Sequence, residues 1–213
     1  MSIQQDRYIP PEDNVQYLLT AEFDNKYGPT LKRQHPKQIS GFDCISEAGQ
    51  NCKNAFNLAS LMIPNNVEYN TSGEADSTIF ILYRNTDTQS YQLFPVSRSD
   101  EMSAENPDPL FFLSFVKAKK ETSNMRGTKI KSIALGTPIK SFNMFRPVLM
   151  SALDSLMSAE TYEETSVVLR HCFNLMNSLD LSYIKKIHAN YPLQDLISAI
   201  DDTEALKSLF DDT

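Results

Sequence analysis

The sequence predicts an α+β fold: an antiparallel sheet of five to six strands flanked by helices, with a helical C-terminal extension. Three observations lead there. Up to Leu135, most apolar segments are short or alternate with the two-residue period of strands. Several are joined by short polar turns of the hairpin kind, which connect antiparallel neighbours. Beyond Asn143 the apolar spacing changes to three and four residues, the period of amphipathic helices.

The elements follow in order. Residues 1–14 are polar, contain Pro10-Pro11, and read as a loose arm. Val15, Tyr17, Leu19, Ala21 and Phe23 then alternate with Gln16, Thr20, Glu22 and Asp24, broken only by Leu18, as in a strand. Residues 25–29 form a hairpin connection with Gly28 where a positive φ is wanted, and residues 30–35 return as a second strand. After a polar loop, residues 53–62 predict a short helix that Pro64 stops. Residues 78–83 are apolar almost without a break, which predicts a strand covered on both faces. Residues 91–96 return from it, and Pro95 confines that part to an edge or bulge. Residues 110–116 and 130–135 complete the strands.

In the helical part, Asn143 is the expected N-cap of a helix that buries Phe145, Leu149, Leu153 and Leu156, with Pro147 tolerated in its first turn. Thr161 and Glu164 form a capping box for the next helix, whose apolar face is Val168, Leu169, Cys172, Phe173, Met176 and Leu179. Two or three shorter helices are expected over 181–188, 193–200 and 203–210.

Composition excludes whole classes of function. With 213 residues, 41% hydrophobic and 22% charged, the chain is long enough to bury roughly 70% of its unfolded surface. No run approaches the ~20 apolar residues of a membrane span, and the N-terminus lacks the apolar core of a signal peptide, so a cytoplasmic protein is expected. Cys44, Cys52 and Cys172 form no paired framework, which fits a reducing compartment without disulfides. The net charge of −7 argues against nucleic acid as a partner, because phosphate neutralisation supplies most of that affinity. The charge is uneven: residues 1–140 carry 15 basic against 16 acidic side chains, and residues 141–213 carry 5 against 11.

Chemistry is not written in the motifs. His35, His171 and His188 are far apart, and His171 beside Cys172 on a helix points about 100° away from it, unsuited to a nucleophile and base pair. Six glycines without a Gly-rich loop leave no phosphate cradle, and no metal-ligand spacing appears, so neither cofactor nor metal is expected. Phe111, Phe112 and Phe115 lack the basic-Gly-aromatic lead of an RNA-stacking strand and read as core.

The order strand, strand, helix, strands, helices resembles a longin-like module. Arg126-Gly127, then Lys131-Ser132-Ile133-Ala134-Leu135, then Phe142, Phe145 and Leu149 resemble the upstream part of a DENN domain. Phe23-Asp24 with Gly28-Pro29-Thr30-Leu31 is similar to that family's opening strand and turn, and residues 58–64 resemble its first helix. Within the DENN superfamily the likeness is greatest to a divergent fungal branch that meets Arf-type GTPases. The resemblance implies a longin-like upstream DENN module over residues 15–180. Residues 181–213 become a helical extension toward a missing downstream domain, which in the family carries Rab nucleotide exchange. It implies a non-catalytic module that binds a small GTPase of the Arf or Rab class in polarised membrane traffic, recruited to the plasma membrane at sites of polarised growth.

Candidate sites are therefore surfaces. Lys117, Lys119, Lys120, Arg126, Lys129 and Lys131 cluster around one hairpin with only Glu121 opposing them, a patch suited to an acidic partner or an anionic membrane. The plain alternative is a solvated loop with routine charge. Lys32, Arg33 and Lys37 extend the patch if the turns lie together. An open sheet edge offers a route to a homodimer, unless Pro95 and the long insert at 97–109 block it. The competing function is a longin-like scaffold or adaptor without GTPase preference.

Overall fold

A computed structural model describes residues 13–40, 42, 58–70, 73–84, 88–93, 109–121, 127–140 and 142–182. The compact unit treated below is Asp13–Leu179; the remainder, Met1–Glu12 and Asp180–Thr213, lies almost wholly outside the described residues. Six strands form one antiparallel sheet: β1 (Tyr17–Asp24), β2 (Gly28–His35), β3 (Asp76–Arg84), β4 (Tyr91–Gln92), β5 (Pro109–Lys120) and β6 (Thr128–Thr137). Their order is β2-β1-β6-β5-β3-β4, so the late β5–β6 hairpin is inserted beside β1 at the centre of the sheet. Helix α1 (Ala59–Met62) lies on one face; α2 (Arg146–Ser158) and α3 (Tyr162–Asn177) cover the other. The antiparallel α+β architecture is the one expected from the sequence.

The α1 face holds a continuous apolar cluster that includes Leu19, Leu31, Met62, Phe80, Leu82, Phe112, Val116 and Ala134. Tyr17 of β1 and Tyr91 of β4 meet edge to face with ring centroids 6.1 Å apart. Four strand spacings separate those strands along the sheet, about 19 Å if it were flat. The sheet therefore curls toward α1, and Tyr91 N–H donates to the Ser40 carbonyl at 3.0 Å to help close the curl. Helix α1 is a single turn, with no basic side chain in its last turn, so its end carbonyls need outside donors. Thr78 Oγ1 donates to the Leu61 carbonyl at 2.7 Å and Ser132 Oγ to the Met62 carbonyl at 3.2 Å.

On the opposite face, Leu18, Leu113, Phe115, Ile133 and Leu135 alternate out of the sheet beneath Phe145, Leu149, Leu153, Leu169, Cys172 and Met176, all buried. The Thr161 capping box forms as expected: the hydroxyl accepts the Glu164 N–H, and the Glu164 carboxylate accepts the Glu160 and Thr161 N–H groups at 2.8 and 3.0 Å. Asn143 is not a cap. It lies in a 3-10 turn (Phe142–Phe145) that swings Phe145 into the core, and α2 starts after Phe145 without a side-chain cap, Pro147 standing in its first turn. The far end of α3 is tied to the approach to β1. Asn177 pairs its amide with Val15, accepting from N–H at 2.8 Å and donating to C=O at 3.0 Å, while buried Asn14 donates to the Met176 and Leu179 carbonyls.

Strand β3 departs from expectation. Phe80 and Leu82 are buried, but Ile79 is 60% exposed and Ile81 only half-buried, so the strand is covered on one face. The reason is the width of the helix layer: α2 lies over β5 and β6, and α3 over β1 and β2. The expected helix over 53–62 is described only as α1, and Pro95 lies outside the described residues.

Gly136 has no room for a side chain. A Cβ there would sit 2.6 Å from Cζ of Phe112, the residue it faces across the ladder, and that ring is fully buried and stacked on Phe80 at 4.8 Å. Gly136→Ala is expected to destabilise the fold by about 1–3 kcal/mol, the usual cost of overpacking, read from the midpoint of urea unfolding. His35 packs edge-on against Phe173 at 5.0 Å, and burial, then the Arg170 charge, holds its pKa below the ordinary 6.5. The unfolded chain therefore binds a proton that the folded chain resists, so stability falls as pH drops below about 6.5. Melting temperatures between pH 7 and 5 are expected to fall less steeply in His35→Gln than in the parent.

Candidate functional site

Register, which the sequence does not display, sorts the basic hairpin into parts. Lys117 faces Lys131 across the β5–β6 ladder and Lys119 faces Lys129, all four on the face carrying α2. Like charges directly opposite one another repel. The first pair is relieved from above and beside. Lys117 Nζ is paired with Asp154 of α2. Lys131, buried, donates to the carbonyl of Ala159 at the end of α2 at 2.7 Å and meets Glu22 of β1 at 3.0 Å. A cation at that position satisfies a helix-terminal carbonyl and complements the helix dipole. Both lysines therefore fasten α2 to the sheet.

Lys119 is exposed and Lys129 half-exposed, with no carboxylate paired to either among the described residues. Lys120 is exposed on the opposite face, and Arg126 lies outside the described residues. The β1–β2 turn stands at the same end of the sheet, since Glu22 is in register with Lys131. The three residues proposed to extend the patch are divided. Lys32 sits 3.9 Å from Asp24; Arg33 donates to Ser166 Oγ at 2.7 Å and to the Tyr162 carbonyl, its guanidinium lying over the Tyr162 ring; Lys37 is exposed.

A second surface escaped the sequence reading. Ile79 and Ile81 of β3 stand on the α2 side of the sheet, in register with Leu113 and Phe111 of β5. Phe111 stacks on Phe142 at 6.1 Å, and Phe142 remains half-buried. An apolar strip thus runs from β3 to the start of α2, beyond the shelter of the helices. The available signal was the apolar pair on alternate positions of β3, which sequence reading assigned to a second buried face.

The described side chains do not assemble a reactive centre. Burial pushes the Cys172 thiol up to about 11, leaving it a poor nucleophile, and His171 is exposed beside it. Cys44, Cys52 and His188 lie outside the described residues, and among the described residues no cluster suits a metal ion. Among those residues no helix is long and apolar enough to cross a membrane.

Sequence comparisons give this geometry a context. Residues 17–106 match the Afi1 family, described as the docking domain of Afi1 for Arf3 in vesicle trafficking. The chain is 35% identical over 262 aligned positions to the ARF3-interacting protein 1 of Saccharomyces cerevisiae, covering 98% of this chain and 29% of the relative. An AFI1-like protein of Schizosaccharomyces pombe is 28% identical over 165 positions, covering 76% of this chain and 24% of the relative. The chain thus spans less than a third of the length of these curated relatives. The matched segment contains β1 to β4, including Ile79 and Ile81, and ends before Lys117–Lys131.

The division of the lysines is measurable. Lys131→Ala leaves a buried carbonyl and Glu22 unpartnered and is expected to cost about 1–3 kcal/mol in chemical denaturation. Lys119→Ala and Lys129→Ala are expected to stay within about 0.5 kcal/mol of the parent.

Proposed function

We propose, from the premise that this chain is a relative of the Afi1 proteins, that it is a docking module for an Arf-type small GTPase in vesicle traffic. The observation that carries the reading is the match of residues 17–106 to a domain described by that docking role. The physical character of the surface supports it. Its open features include an apolar strip on the sheet and a lysine pair, Lys119 exposed and Lys129 half-exposed, both suited to contact with a macromolecule. The described cysteine and histidines are individually buried or scattered. The module acts by binding, without catalysis of its own.

We further read the fold as longin-like, the upstream module of a DENN-type protein, spanning residues 15–180. What favours this is the six-stranded antiparallel sheet with one helix on one face and two on the other, in the order strand, strand, helix, strands, helices. In this reading residues 181–213 lead toward a downstream domain, and Lys119 and Lys129 face an acidic partner surface or the anionic leaflet from which a GTPase is recruited, each exposed charge contributing about 1 kcal/mol near such a leaflet. Rab-class binding and a homodimer formed through the sheet edge belong to the same proposal.

Capture assays with Arf loaded with GDP or a non-hydrolysable GTP analogue test the function. The chain is expected to retain the GTP-loaded form in preference to the GDP-loaded form. Equal retention of both favours the adaptor reading, and absence of capture in either state removes the docking function.

A further inference from the structure

We infer that the uncovered outer face of β3, centred on Ile79 and Ile81 and continued by Phe111 and Phe142, is the surface on which the Arf-type GTPase seats. This deepens the docking function proposed above and rests on it.

Four observations converge on the face. First, Ile79 is 60% exposed in the middle of a nine-residue strand, held by its neighbours and not by a loose loop. Exposed turn aromatics such as Tyr27, over which Lys26 folds, or Tyr69 in a 3-10 turn are common incidental features of surfaces. An isoleucine pair at alternate positions of an otherwise one-sided strand is less ordinary, because water-facing positions there generally carry polar residues.

Second, β3 is also the last strand of the sheet over much of its length: β4 pairs with it only at Tyr83 and Arg84 among the described residues. An open edge beside an open apolar face is an aggregation liability that proteins ordinarily blunt with charge or cover. Thr78-Ile79-Phe80-Ile81-Leu82 carries no charge, and among the described residues no strand pairs along its outer edge. Third, the surface is preorganised. Ile79 and Ile81 are fixed in register with Leu113 and Phe111, and the Phe111–Phe142 stack bounds the strip, so a partner does not bear the entropy cost of ordering it.

The fourth observation selects the occupant. The segment matching the Arf3 docking domain, residues 17–106, contains β3 and excludes β5, β6 and the outer helices. Among the described residues of that segment the exposed large apolar side chains are Tyr27, Tyr69 and Ile79, and only Ile79 belongs to a continuous apolar surface. A central apolar contact flanked by polar groups, here Ser77 beside it on the same face of β3 and Arg146 over the Phe115 ring, is the arrangement that concentrates binding energy.

The test measures affinity of the full 213-residue chain for Arf3 loaded with a non-hydrolysable GTP analogue. Ile79→Thr keeps the β-branched shape favoured in strands and Ile79→Asp places a charge at the centre of the strip. Tyr69→Ser and the pair Lys119→Glu with Lys129→Glu are controls. Both Ile79 variants are expected to lose at least about tenfold in affinity, a hot-spot-sized effect, and Tyr69→Ser to bind as the parent does. Hydroxyl-radical footprinting of the unmodified chain in the complex is expected to protect Ile79, Ile81 and Phe111, a readout that survives if Ile79→Asp fails to fold. Parent-like affinity of Ile79→Thr together with unprotected Ile79 overturns the surface while leaving the docking function intact. A parent chain that binds no Arf overturns both.

Discussion

Two-sided burial of β6 is the constraint on which the rest of the structure depends. From Ile130 to Thr137 every side chain of this strand is buried, and its polar residues are the points where other elements attach. Lys131 holds the end of α2, Ser132 receives the end of α1 on the opposite face, and the Thr137 hydroxyl donates to the Asn14 carbonyl at the approach to β1. Adjacent residues of one strand necessarily point to opposite faces. Lys131 and Ser132 therefore fix the helices of both layers against one strand. Burying a lysine and a serine side by side is costly unless each finds its partners, and here each finds a helix-terminal carbonyl that itself lacks an intrahelical donor.

That arrangement explains why the two helix layers differ. The single turn of α1 fits inside the curl of the sheet, where Tyr17 and Tyr91 approach across the concave side. The outer layer is made by α2 and α3, which lie across β5, β6, β1 and β2. Specific contacts hold α3 at the β1–β2 side, while Lys117 and Lys131 hold α2 over β5 and β6. Arg33 bonds to the start of α3 through the Tyr162 carbonyl and Ser166 Oγ, and Asn177 pairs with Val15 at its other end. The outer face of β3 is left uncovered as a consequence. The same contacts that secure the helices determine which part of the sheet remains available.

Much of the fold could be read from the sequence because local rules and tertiary structure agree there. The Thr161–Glu164 box, Gly28 with φ of 74° in its turn, and the strand periodicity all concern residues close in sequence. What escaped reading depends on residues far apart. Asn143 has the chemistry of a cap, but burial of Phe145 draws the chain into a 3-10 turn and moves the helix start. The apolar run of β3 identifies a strand without saying whether its second face is covered or presented to solvent. The six basic residues look equivalent as a charge count, whereas Lys117 and Lys131 are engaged with α2 because register places them under it. Gly136 carried no signal, since its necessity arises from Phe112 across the ladder.

The separation of the apolar strip from the exposed lysines gives the two surfaces different physical roles. Leu113, which faces Ile79, is six residues from Lys119 along β5, about 20 Å at the usual rise of a strand. That exceeds the Debye length of about 8 Å at physiological salt, so Lys119 and Lys129 add little to a contact made at Ile79. It is nevertheless shorter than the breadth of a small globular partner, whose interface commonly spans about 800 Å² on each side. A protein seated on β3 therefore reaches the basic end only through its own far side. Were a membrane to lie beneath the hairpin, it would meet the lysines and leave the strip free for a protein. On the proposed docking function, affinity would reside in the apolar strip, which salt hardly weakens, and orientation and encounter rate in the lysines, which salt screens.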